Sequence, residues 1–495
     1  MMDGILGERQ TRREFIKTGG AAAVGLAAGQ LAKSALGAQV VRKDISMKKP
    51  NVLFIPIDDL RPQLNCYGRT QMVTPHIDEL AGEGVIFQNA YCQVPVCGAT
   101  RASLLTGVRP TRDRFVGYDA WVDKDLPGAL TLPEHFRKHG YTTISNGKVF
   151  HHRPDTADRS WSERPWYPNT GGNWRNYFLP ENRAVAEENN GRGPAFECTD
   201  VPDNAYIDGQ TTDRTIEDLR RLKDAGEPFF LAAGFVKPHL PFNAPKKYWD
   251  LYNHADIELA DNPFRPSDAP DAAIHNWGEL RQYFHIPAKG PLSDEMARDL
   301  VHGYYAATSY TDAQVGRLLS ELDRLGLRDN TIVALWGDHG WQLGEHSLWC
   351  KHCNFNTSLN APLIVSAPDF TGDKRASVLV EFADIYPSLC ELAGLPLPDH
   401  LEGASFVPLM ENPDQRWKKA VFSRFIAGDS IRTERYLYTE WTGKTGSRYA
   451  RMLYDHQTDP NENVNISENP ENEALVWRLS KMLHDGWQNV LPDGS

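Results

Sequence analysis

Short apolar runs followed by polar residues recur along the chain and predict the strands of a buried sheet. The first covers residues 51–57, and similar runs cover residues 141–145, 229–235 and 331–336. Continuous apolar runs are typical of parallel strands that are covered on both faces. Because polar and potentially reactive residues follow each run directly, we expect those side chains to lie beyond the ends of the strands.

Helical patterns separate these runs. Thr131 and Glu134 have the spacing of a capping box and predict a helix that Gly140 can close. Apolar residues at helical spacing predict a second helix over residues 303–325. Alternating strands and helices indicate a doubly wound, mostly parallel α/β sheet. Ligands of such sheets bind outside the carboxyl ends of the strands, so the chemistry is expected at one edge.

The pattern changes after residue 410. Short strand-like pieces are followed by an apolar-periodic helix over residues 471–488. We therefore expect a large α/β domain over residues 39–410 and a smaller domain over residues 411–495, made of an antiparallel sheet and a terminal helix. The predicted strands of this sheet are residues 420–424, 435–441 and 451–454.

Residues 152–202 are rich in Pro, Gly, Asn and Trp and indicate a long insertion over the active edge. A lid or substrate wall is one interpretation, and a structural loop is the other.

The first 38 residues have the features of a twin-arginine export signal. Arg12 and Arg13 precede a stretch rich in Ala and Gly, and cleavage is expected near Gly37 or Ala38. No later segment has about 20 uninterrupted apolar residues, the length that a membrane helix needs. The mature chain is therefore expected in the periplasm or outside the cell, without a membrane anchor.

Composition and charge narrow the function classes. The 495 residues are 41% hydrophobic, enough for a large core, and carry a formal net charge of −12. This acidic balance argues against a nucleic-acid-binding protein, whose surface would be basic. It does not exclude a small anionic substrate, which responds to the local field of its site.

Seven cysteines are an odd number, so at least one has no partner within the chain. We expect Cys97 to be the cysteine without a disulfide partner. For Cys350 and Cys353, a local disulfide and two unpaired thiols both remain open, while a redox pair or half of a zinc site is less favoured because no second such pair accompanies them.

Two acidic clusters follow predicted strands. Asp58 and Asp59 come directly after the first strand, and Asp338 and His339 come after the fourth. If both strands are parallel, these groups meet at one edge of the sheet. Three carboxylates with a further oxygen suit a hard divalent cation, and calcium is favoured over magnesium when several ligands come from the protein. Capping or water-binding carboxylates are the alternative for the first pair taken alone.

Cys97 and Arg101 lie four residues apart at a predicted helix start, where free N–H groups and the helix dipole favour anionic oxygen. Residues 97–101 resemble the Cys-x-Pro/Ala-x-Arg signature of the formylglycine sulfatases. Several further motifs resemble the sulfatase branch of the alkaline phosphatase superfamily, with the iduronate-2-sulfatase group the most similar. They are residues 57–62, 66–68, 147–151, 237–242, 337–346, 453–455 and 459–463.

The resemblance implies an alkaline-phosphatase-like fold, one Ca²⁺ ion and a Cys97 converted to formylglycine by a maturation enzyme. It implies that Arg101 orients the nucleophile, that Lys148 and His151 contact the hydrated aldehyde, and that His239 and Lys351 hold the sulfate and its bridging oxygen. Lys237 is a further predicted substrate contact, with a solvated loop residue as its alternative. The implied metal ligands are Asp58, Asp59, the modified Cys97, Asp338 and His339, where the histidine binds the metal through either ring nitrogen or contacts sulfate instead.

These roles agree with the chemistry of a sulfate ester. Cations compensate the charge that builds on the oxygens of sulfur, and His239 in its acid form can protonate a sugar alkoxide. The expected substrate is a sulfated carbohydrate; the resemblance implies a 2-O-sulfated uronic acid, with other sulfated polysaccharides as the alternative. The tryptophans that can stack on sugar rings, or pack in the core instead, are Trp161, Trp166, Trp174, Trp341 and Trp349.

Two other functions compete with a sulfatase. One is a phosphodiesterase or phosphonate monoester hydrolase of the same superfamily. The other is a catalytically silent glycan-binding protein in which Cys97 remains a thiol.

Overall fold

The predicted apolar runs form the centre of the molecule in the computed structural model, which describes residues 49–370 and 372–492. The predicted export signal at residues 1–38 lies outside the described residues. The strands are β1 (Asn51–Ile57), β2 (Val85–Tyr91), β3 (Thr142–Gly147), β4 (Phe196–Thr199), β5 (Phe229–Gly234), β6 (Phe242–Pro245), β7 (Thr331–Gly337), β8 (Gln342–Leu343), β9 (Trp349–Cys350), β10 (Leu363–Ser366), β11 (Lys374–Glu381), β12 (Ala420–Phe425), β13 (Gly428–Thr433), β14 (Tyr436–Thr442) and β15 (Arg448–Asp455).

Helices connect and cover these strands. They are α1 (Pro75–Glu83), α2 (Cys97–Thr106), α3 (Val122–Asp125), α4 (Leu132–Lys138), α5 (Ala157–Ser160), α6 (Pro180–Glu188), α7 (Ile207–Ala225), α8 (Lys246–Trp249), α9 (Asp294–Arg324), α10 (Asn356–Leu359), α11 (Ile385–Leu392), α12 (Val407–Glu411) and α13 (Glu473–Asp485).

The main sheet has seven strands in the order β11-β2-β10-β7-β1-β5-β3. Its neighbouring strands are parallel except at β10, which runs antiparallel to both β2 and β7. Strands β1, β2, β3, β5 and β7 therefore end at the same edge. This confirms the predicted mostly parallel sheet.

Both faces of the main sheet are buried. In β1, Leu53 and Ile55 belong to one apolar cluster, whereas Val52 and Phe54 belong to another on the opposite face. The first cluster contains residues of α1, α7 and α9, and the second contains residues of α2, α4 and α11. Because successive side chains of a strand point to opposite faces, a continuous apolar run is needed to fill both clusters. This arrangement confirms the doubly wound class.

The predicted helices are present with shifted boundaries. Thr131 Oγ1 accepts a hydrogen bond from the Glu134 backbone N–H, as a capping residue does, and α4 ends just before Gly140. Helix α9 starts nine residues earlier than the predicted start at residue 303, because Ser293 caps it through the Met296 N–H. The first added turn begins with the exposed residues Asp294 and Glu295, whereas Leu300 and Val301 in the next turn are buried in the core.

A smaller antiparallel sheet in the order β12-β13-β14-β15 packs against α13, as predicted for the C-terminal region. Strand β13 was not predicted, because Ile431 is its one large apolar residue. Helix α13 is shorter than the predicted range and ends before Gly486, whose φ is +86°. The predicted boundary between residues 410 and 411 stays a prediction.

All seven cysteines lie in the described part of the chain, and none of them forms a disulfide there. Cys350 and Cys353 are thus two unpaired, buried thiols, which was one of the two favoured alternatives. Among the described residues no helix combines the length and the apolar character that a membrane span requires.

Candidate active site

The carboxyl edge of the main sheet brings the predicted site residues together. Asp58 and Asp59 follow β1, Lys148 follows β3, His239 lies beyond β5, and Asp338 follows β7. Because these strands are parallel neighbours in the sheet, residues that are far apart in sequence come within hydrogen-bond distance. One example is the Asp59 backbone N–H, which donates to Asp338 Oδ1 at 3.0 Å.

Cys97 is the first residue of α2 and is buried beside the acidic cluster. Asp58, Cys97, Asp338 and His339 each offer one atom that could bind a metal ion. These four atoms all lie within 4.8 Å of one another. Burial disfavours a thiolate, but the positive charges of Lys148 and Lys351 outweigh it and lower the pKa of Cys97 to about 6. The site therefore favours negative charge at the position of this side chain.

Two atoms of this cluster are buried and have no hydrogen-bond partner among the described residues. They are Asp58 Oδ1 and His339 Nε2. The His339 ring donates from Nδ1 to the Gly340 carbonyl at 2.9 Å, which directs Nε2 toward the carboxylates. Asp59 Oδ1 lies 3.4 Å from that nitrogen, so the fifth predicted ligand is adjacent. A divalent cation requires such buried ligand atoms without hydrogen-bond partners, here one carboxylate oxygen and one imidazole nitrogen beside further carboxylates.

Arg101 is buried beneath this cluster. Its Nε donates to Asp338 Oδ2 at 2.9 Å, and its Nη1 donates to the backbone carbonyls of Lys148 and Val149. Nη2 lies 3.7 Å from Asp58 Oδ1. One planar guanidinium therefore joins the start of α2 to the loops after β1, β3 and β7.

Two lysines are directed at the aspartates. The Lys148 ammonium group donates to Asp58 Oδ2. Lys351, which follows β9 and is 2% exposed, donates to Asp59 Oδ1 at 3.0 Å and Oδ2 at 3.2 Å. Lys351 is therefore a buried cation of the site, and the Glu345 carboxylate pairs with Arg61 instead.

Glu279 belongs to the same network, although no sequence pattern pointed to it. Its Oε1 lies 3.0 Å from His239 Nε2 and accepts from Lys351 Nζ at 3.1 Å. The residue lies in an irregular segment, just before a short 3₁₀ turn at Leu280–Gln282. An isolated glutamate in such a segment has no periodic or motif signal that would distinguish it from a surface residue.

His239 has an oxygen acceptor at each ring nitrogen. Nδ1 donates to the Leu240 carbonyl at 2.6 Å, and Nε2 faces Glu279. Burial disfavours the imidazolium, but the carboxylates of Asp59, Asp58 and Glu279 outweigh it and raise the pKa of His239. The ring can therefore hold two protons and act as an acid.

His151 and Lys237 differ in their surroundings. Burial and the charge of Lys148 lower the pKa of His151 to about 3, so its ring is neutral, and its Nδ1 is buried without a partner. Lys237 is buried, so it is not a solvated loop residue, and its ammonium group donates to the carbonyls of His239 and Pro241. That geometry stabilises the loop after β5. A direct substrate contact by Lys237 stays a prediction.

The insertion at residues 152–202 contributes a wall to the site. Tyr167, Thr170 and Trp174 line a cavity of about 260 Å³ that also borders Lys148 and His239. The Trp174 ring meets His239 edge-on, with centroids 5.3 Å apart. This observation supports the substrate-wall interpretation of the insertion.

The other tryptophans are less available to a sugar. Trp161, Trp341 and Trp349 are buried in the two core clusters of the main sheet. Core packing explains these three residues. Trp166 is partly exposed and borders a neighbouring cavity.

Comparison with protein families identifies this arrangement. A family model described as Sulfatase matches residues 50–395, and one described as N-sulphoglucosamine sulphohydrolase, C-terminal, matches residues 344–489. The first match alone covers more than half of the chain and contains all the site residues described above. The chain therefore belongs to the sulfatase family and is a sulfuric ester hydrolase.

Within the family, the chain is similar to iduronate 2-sulfatases. The mouse enzyme is 32% identical over 518 aligned residues, covering 87% of this chain and 93% of the relative. The human enzyme is 37% identical over 397 residues, covering 72% and 71% of the two chains. These similarities confirm the resemblance that the sequence motifs indicated.

Solved structures share the fold. BT4656 in complex with its substrate D-glucosamine-2-N,6-O-disulfate has a TM-score of 0.70 at 21% identity, covering 88% of this chain and 97% of the other. The phosphonate monoester hydrolase of Silicibacter pomeroyi has a TM-score of 0.73 at 21% identity, covering 90% and 96%. The alkaline-phosphatase-like fold is thereby confirmed, and it is shared by enzymes with different substrates.

Proposed function

We propose that this chain is an exported, formylglycine-dependent sulfatase that removes the sulfate from a 2-O-sulfated uronic acid in a sulfated carbohydrate. The observation that carries the proposal is the position of Cys97. It begins a buried helix, within 4.8 Å of donor atoms from Asp58, Asp338 and His339. A buried structural cysteine has no need of three aspartates and several cations around it.

The donor set fits one divalent cation, and we propose Ca²⁺. Asp58, Asp59, Asp338, His339 and the oxidised side chain of Cys97 would hold it. The support is the pair of buried atoms without partners, Asp58 Oδ1 and His339 Nε2. Mostly oxygen donors supplied by the protein suit calcium better than magnesium, which retains several waters. When bound, the cation supplies Lewis-acid polarisation of the sulfate oxygens.

Oxidation of Cys97 to formylglycine supplies a hydrated aldehyde, which has one hydroxyl for attack on sulfur and a second whose deprotonation allows sulfate to be expelled. A thiol cannot complete that second step. Arg101 holds the start of α2 against Asp338 and so orients the side chain of residue 97. We therefore propose a formylglycine-generating maturation enzyme as a partner of this chain.

The surrounding cations bind and orient the sulfate. Lys148 and Lys351 carry the positive charge that compensates the oxygens bound to sulfur. His151 is neutral, so it can accept or donate a hydrogen bond at the nucleophile without adding charge. The two lysines are already held by carboxylates, so they need little reorganisation when the substrate enters.

His239 provides the proton for the leaving group. A sugar alkoxide leaves poorly unless it is protonated, and the raised pKa of His239 favours the acid form. Glu279 orients this ring through Nε2 until the leaving oxygen takes its place as the acceptor of the Nε2 proton, and Lys237 holds the carbonyl of His239 from the other side. The loop after β5 therefore presents an acid at the point where the cavity begins.

The similarity to iduronate 2-sulfatases supports a uronic acid as the sugar. The fold neighbour that binds a glucosamine disulfate supports the wider class of sulfated carbohydrates. For localisation, the twin-arginine pattern of Arg12 and Arg13 supports export to the periplasm or the cell exterior.

The decisive experiment is mass spectrometry of the peptide that contains residue 97, from protein co-expressed with a formylglycine-generating enzyme. We expect an aldehyde at residue 97 and hydrolysis of a 2-O-sulfated uronate disaccharide, both lost in Cys97→Ala. A matched phosphonate monoester serves as the competing substrate. A thiol at residue 97 would overturn the nucleophile proposal, and faster phosphonate than sulfate hydrolysis would overturn the substrate proposal.

A further inference from the structure

A cavity of about 260 Å³ opens beside the candidate active site. Lys148, His151 and His239 form its inner wall, and Tyr167 and Trp174 of the insertion form an outer wall. In the proposed mechanism, Lys148 and His151 contact the nucleophile, and His239 protonates the leaving group. The alcohol that leaves sulfur must therefore enter this cavity, since His239 has to reach its oxygen.

The walls of the cavity suit a sugar ring. Aromatic faces cover the apolar C–H surface of a pyranose, while polar groups at the edges bind its substituents. Trp174 and Tyr167 supply the aromatic surface, and Thr170 supplies a hydroxyl. None of these groups distinguishes an acidic sugar from a neutral one.

Among the charged side chains that line this cavity, Arg153 stands out because it has no ion pair or side-chain hydrogen bond to another described residue. Its guanidinium lies over the Tyr167 ring, 4.4 Å from the centroid, and the side chain is exposed. Within residues 49–370 and 372–492 it forms no ion pair and donates no hydrogen bond. When a guanidinium stacks on an aromatic ring, the N–H groups at its edge remain free. Two of these parallel N–H groups can donate to the two oxygens of one carboxylate.

The other charges of the cavity are already paired. Lys148 donates to Asp58, and the Asp208 carboxylate accepts the backbone N–H groups of Val236 and Lys237. Arg153 therefore carries a positive charge at this cavity without an ion-pair partner among the described residues, whereas Asp208 is held by backbone N–H groups. Tyr167 holds Arg153 at the cavity wall without neutralising it.

We propose that Arg153 binds the carboxylate of the uronic acid whose sulfate is removed, and so determines selectivity for acidic over neutral sugars. The inference rests on the proposed function, because it assumes that the sugar is the leaving group at His239. The arginine contacts a substituent of the sugar and takes no part in the transfer of the sulfate.

The test compares two substrates and three variants. The substrates are a 2-O-sulfated uronate disaccharide and its carboxyl-reduced analogue, which carries a hydroxymethyl group in place of the carboxylate. The variants are Arg153→Met, Arg153→Lys, and Arg416→Met as a matched control, because Arg416 is also exposed and forms no ion pair among the described residues. Melting temperatures verify that each variant is folded.

We expect Arg153→Met to lower kcat/KM for the uronate substrate roughly 10- to 100-fold, as the loss of a charge-assisted hydrogen bond does. Hydrolysis of the reduced analogue should stay within about twofold, since that substrate has no charge to lose. Arg153→Lys should restore part of the loss, and Arg416→Met should match the unsubstituted enzyme. Calorimetric binding of the desulfated uronate disaccharide should weaken in parallel, which measures recognition without turnover.

An equal fall on both substrates would overturn the inference, because Arg153 would then shape the cavity for any sugar. Unchanged kinetics on both would overturn it as well. A dependence on an N-sulfate of the neighbouring sugar, seen with N-sulfated and N-acetylated disaccharides, would assign Arg153 to a different anion and also contradict it. If the unsubstituted enzyme cleaves an aryl sulfate but neither disaccharide, the proposed uronate substrate fails together with the inference, while the sulfatase activity stands.

Discussion

Glu279 and Lys351 form an ion pair at the active edge, with Oε2 2.9 Å from Nζ, although 72 residues separate them in the chain. The same carboxylate lies 3.0 Å from His239 Nε2. Glu279 therefore joins the proposed acid to a proposed sulfate-binding cation. It is a positioning residue, since its contacts in the structure are to other side chains of the site.

Replacing this carboxylate should affect turnover more than substrate affinity. We expect Glu279→Gln to lower kcat roughly 10- to 100-fold with a smaller change in KM, because His239 and Lys351 lose the charge that orients them. Glu279→Asp, which keeps the charge, should recover part of the activity. Steady-state kinetics on a sulfate ester measures both parameters.

The control for that experiment is Glu391→Gln, since Glu391 is exposed and has no ion pair among the described residues. A rise in KM alone, or a fall in melting temperature without a change in kcat, would argue against the positioning role.

Calcium should stabilise the folded protein through the Asp338 cluster. A ligand that binds the native state at 100 times its Kd adds about 2.7 kcal/mol of stability. We expect the melting temperature of EDTA-treated protein to rise with added CaCl₂, and to rise less with MgCl₂. Asp338→Asn should abolish the rise.

A surface group of His254, Glu295 and Asp299 offers a matched control, because it also brings three possible ligands together. Asp299→Asn should leave the calcium-dependent shift unchanged. The assignment of the site to Asp338 would be wrong if both variants kept the same shift.

Lys418 connects the segment before β12 to the main sheet. Its ammonium group is 0% exposed and donates to Glu381 at 2.7 Å and to Asp384 at 2.6 Å. Lys418→Met removes a positive charge that two buried carboxylates face. Removing one partner of a buried ion pair typically lowers the free energy of unfolding by about 3–5 kcal/mol. We expect the urea midpoint to fall accordingly, whereas Lys419→Met, at an exposed neighbour without an ion pair in the described chain, should change it little. Equal midpoints for the two variants would contradict this role.

Glu440 should contribute to stability above the acid range. Burial disfavours its carboxylate, but hydrogen bonds from Ser480, Tyr438, Arg448 and His484 outweigh burial and hold its pKa at about 2. Because the pKa of Glu440 is lower in the folded than in the unfolded protein, its carboxylate stabilises the fold fully above about pH 4.5. This stabilisation is lost as the pH falls toward about 2.

Urea unfolding between neutral pH and pH 3 measures this contribution. We expect Glu440→Gln to reduce the free energy of unfolding by about 3 kcal/mol near neutral pH, and the difference from the unsubstituted protein to shrink as the pH falls below about 4.5. Glu471→Gln, at an exposed residue without a described hydrogen bond, is the control. A difference that stays constant with pH would assign the effect to packing.

Local sequence patterns predicted the strands β1, β3, β5 and β7 of the main sheet and the positions where its chemistry begins, whereas β2, β10 and β11 were not predicted. The run at residues 51–57 became β1 with those boundaries, because a strand covered on both faces needs apolar side chains at successive positions. Cys97 to Arg101 started a helix as expected, and the strand ends predicted which aspartates would meet. Each of these features depends on neighbours in the chain, so one sequence is enough to show them.

Tertiary structure alone decided the surroundings of those residues. Glu279 reached the site from an irregular segment, Lys237 turned toward carbonyls of its own loop, and Arg153 lines the cavity without an ion pair to any described residue. Strand β13 formed because both of its neighbours pair with it, despite a mostly polar sequence. Long-range pairing and the direction of a side chain depend on how distant segments pack, and no local pattern of apolar and polar residues encodes that information.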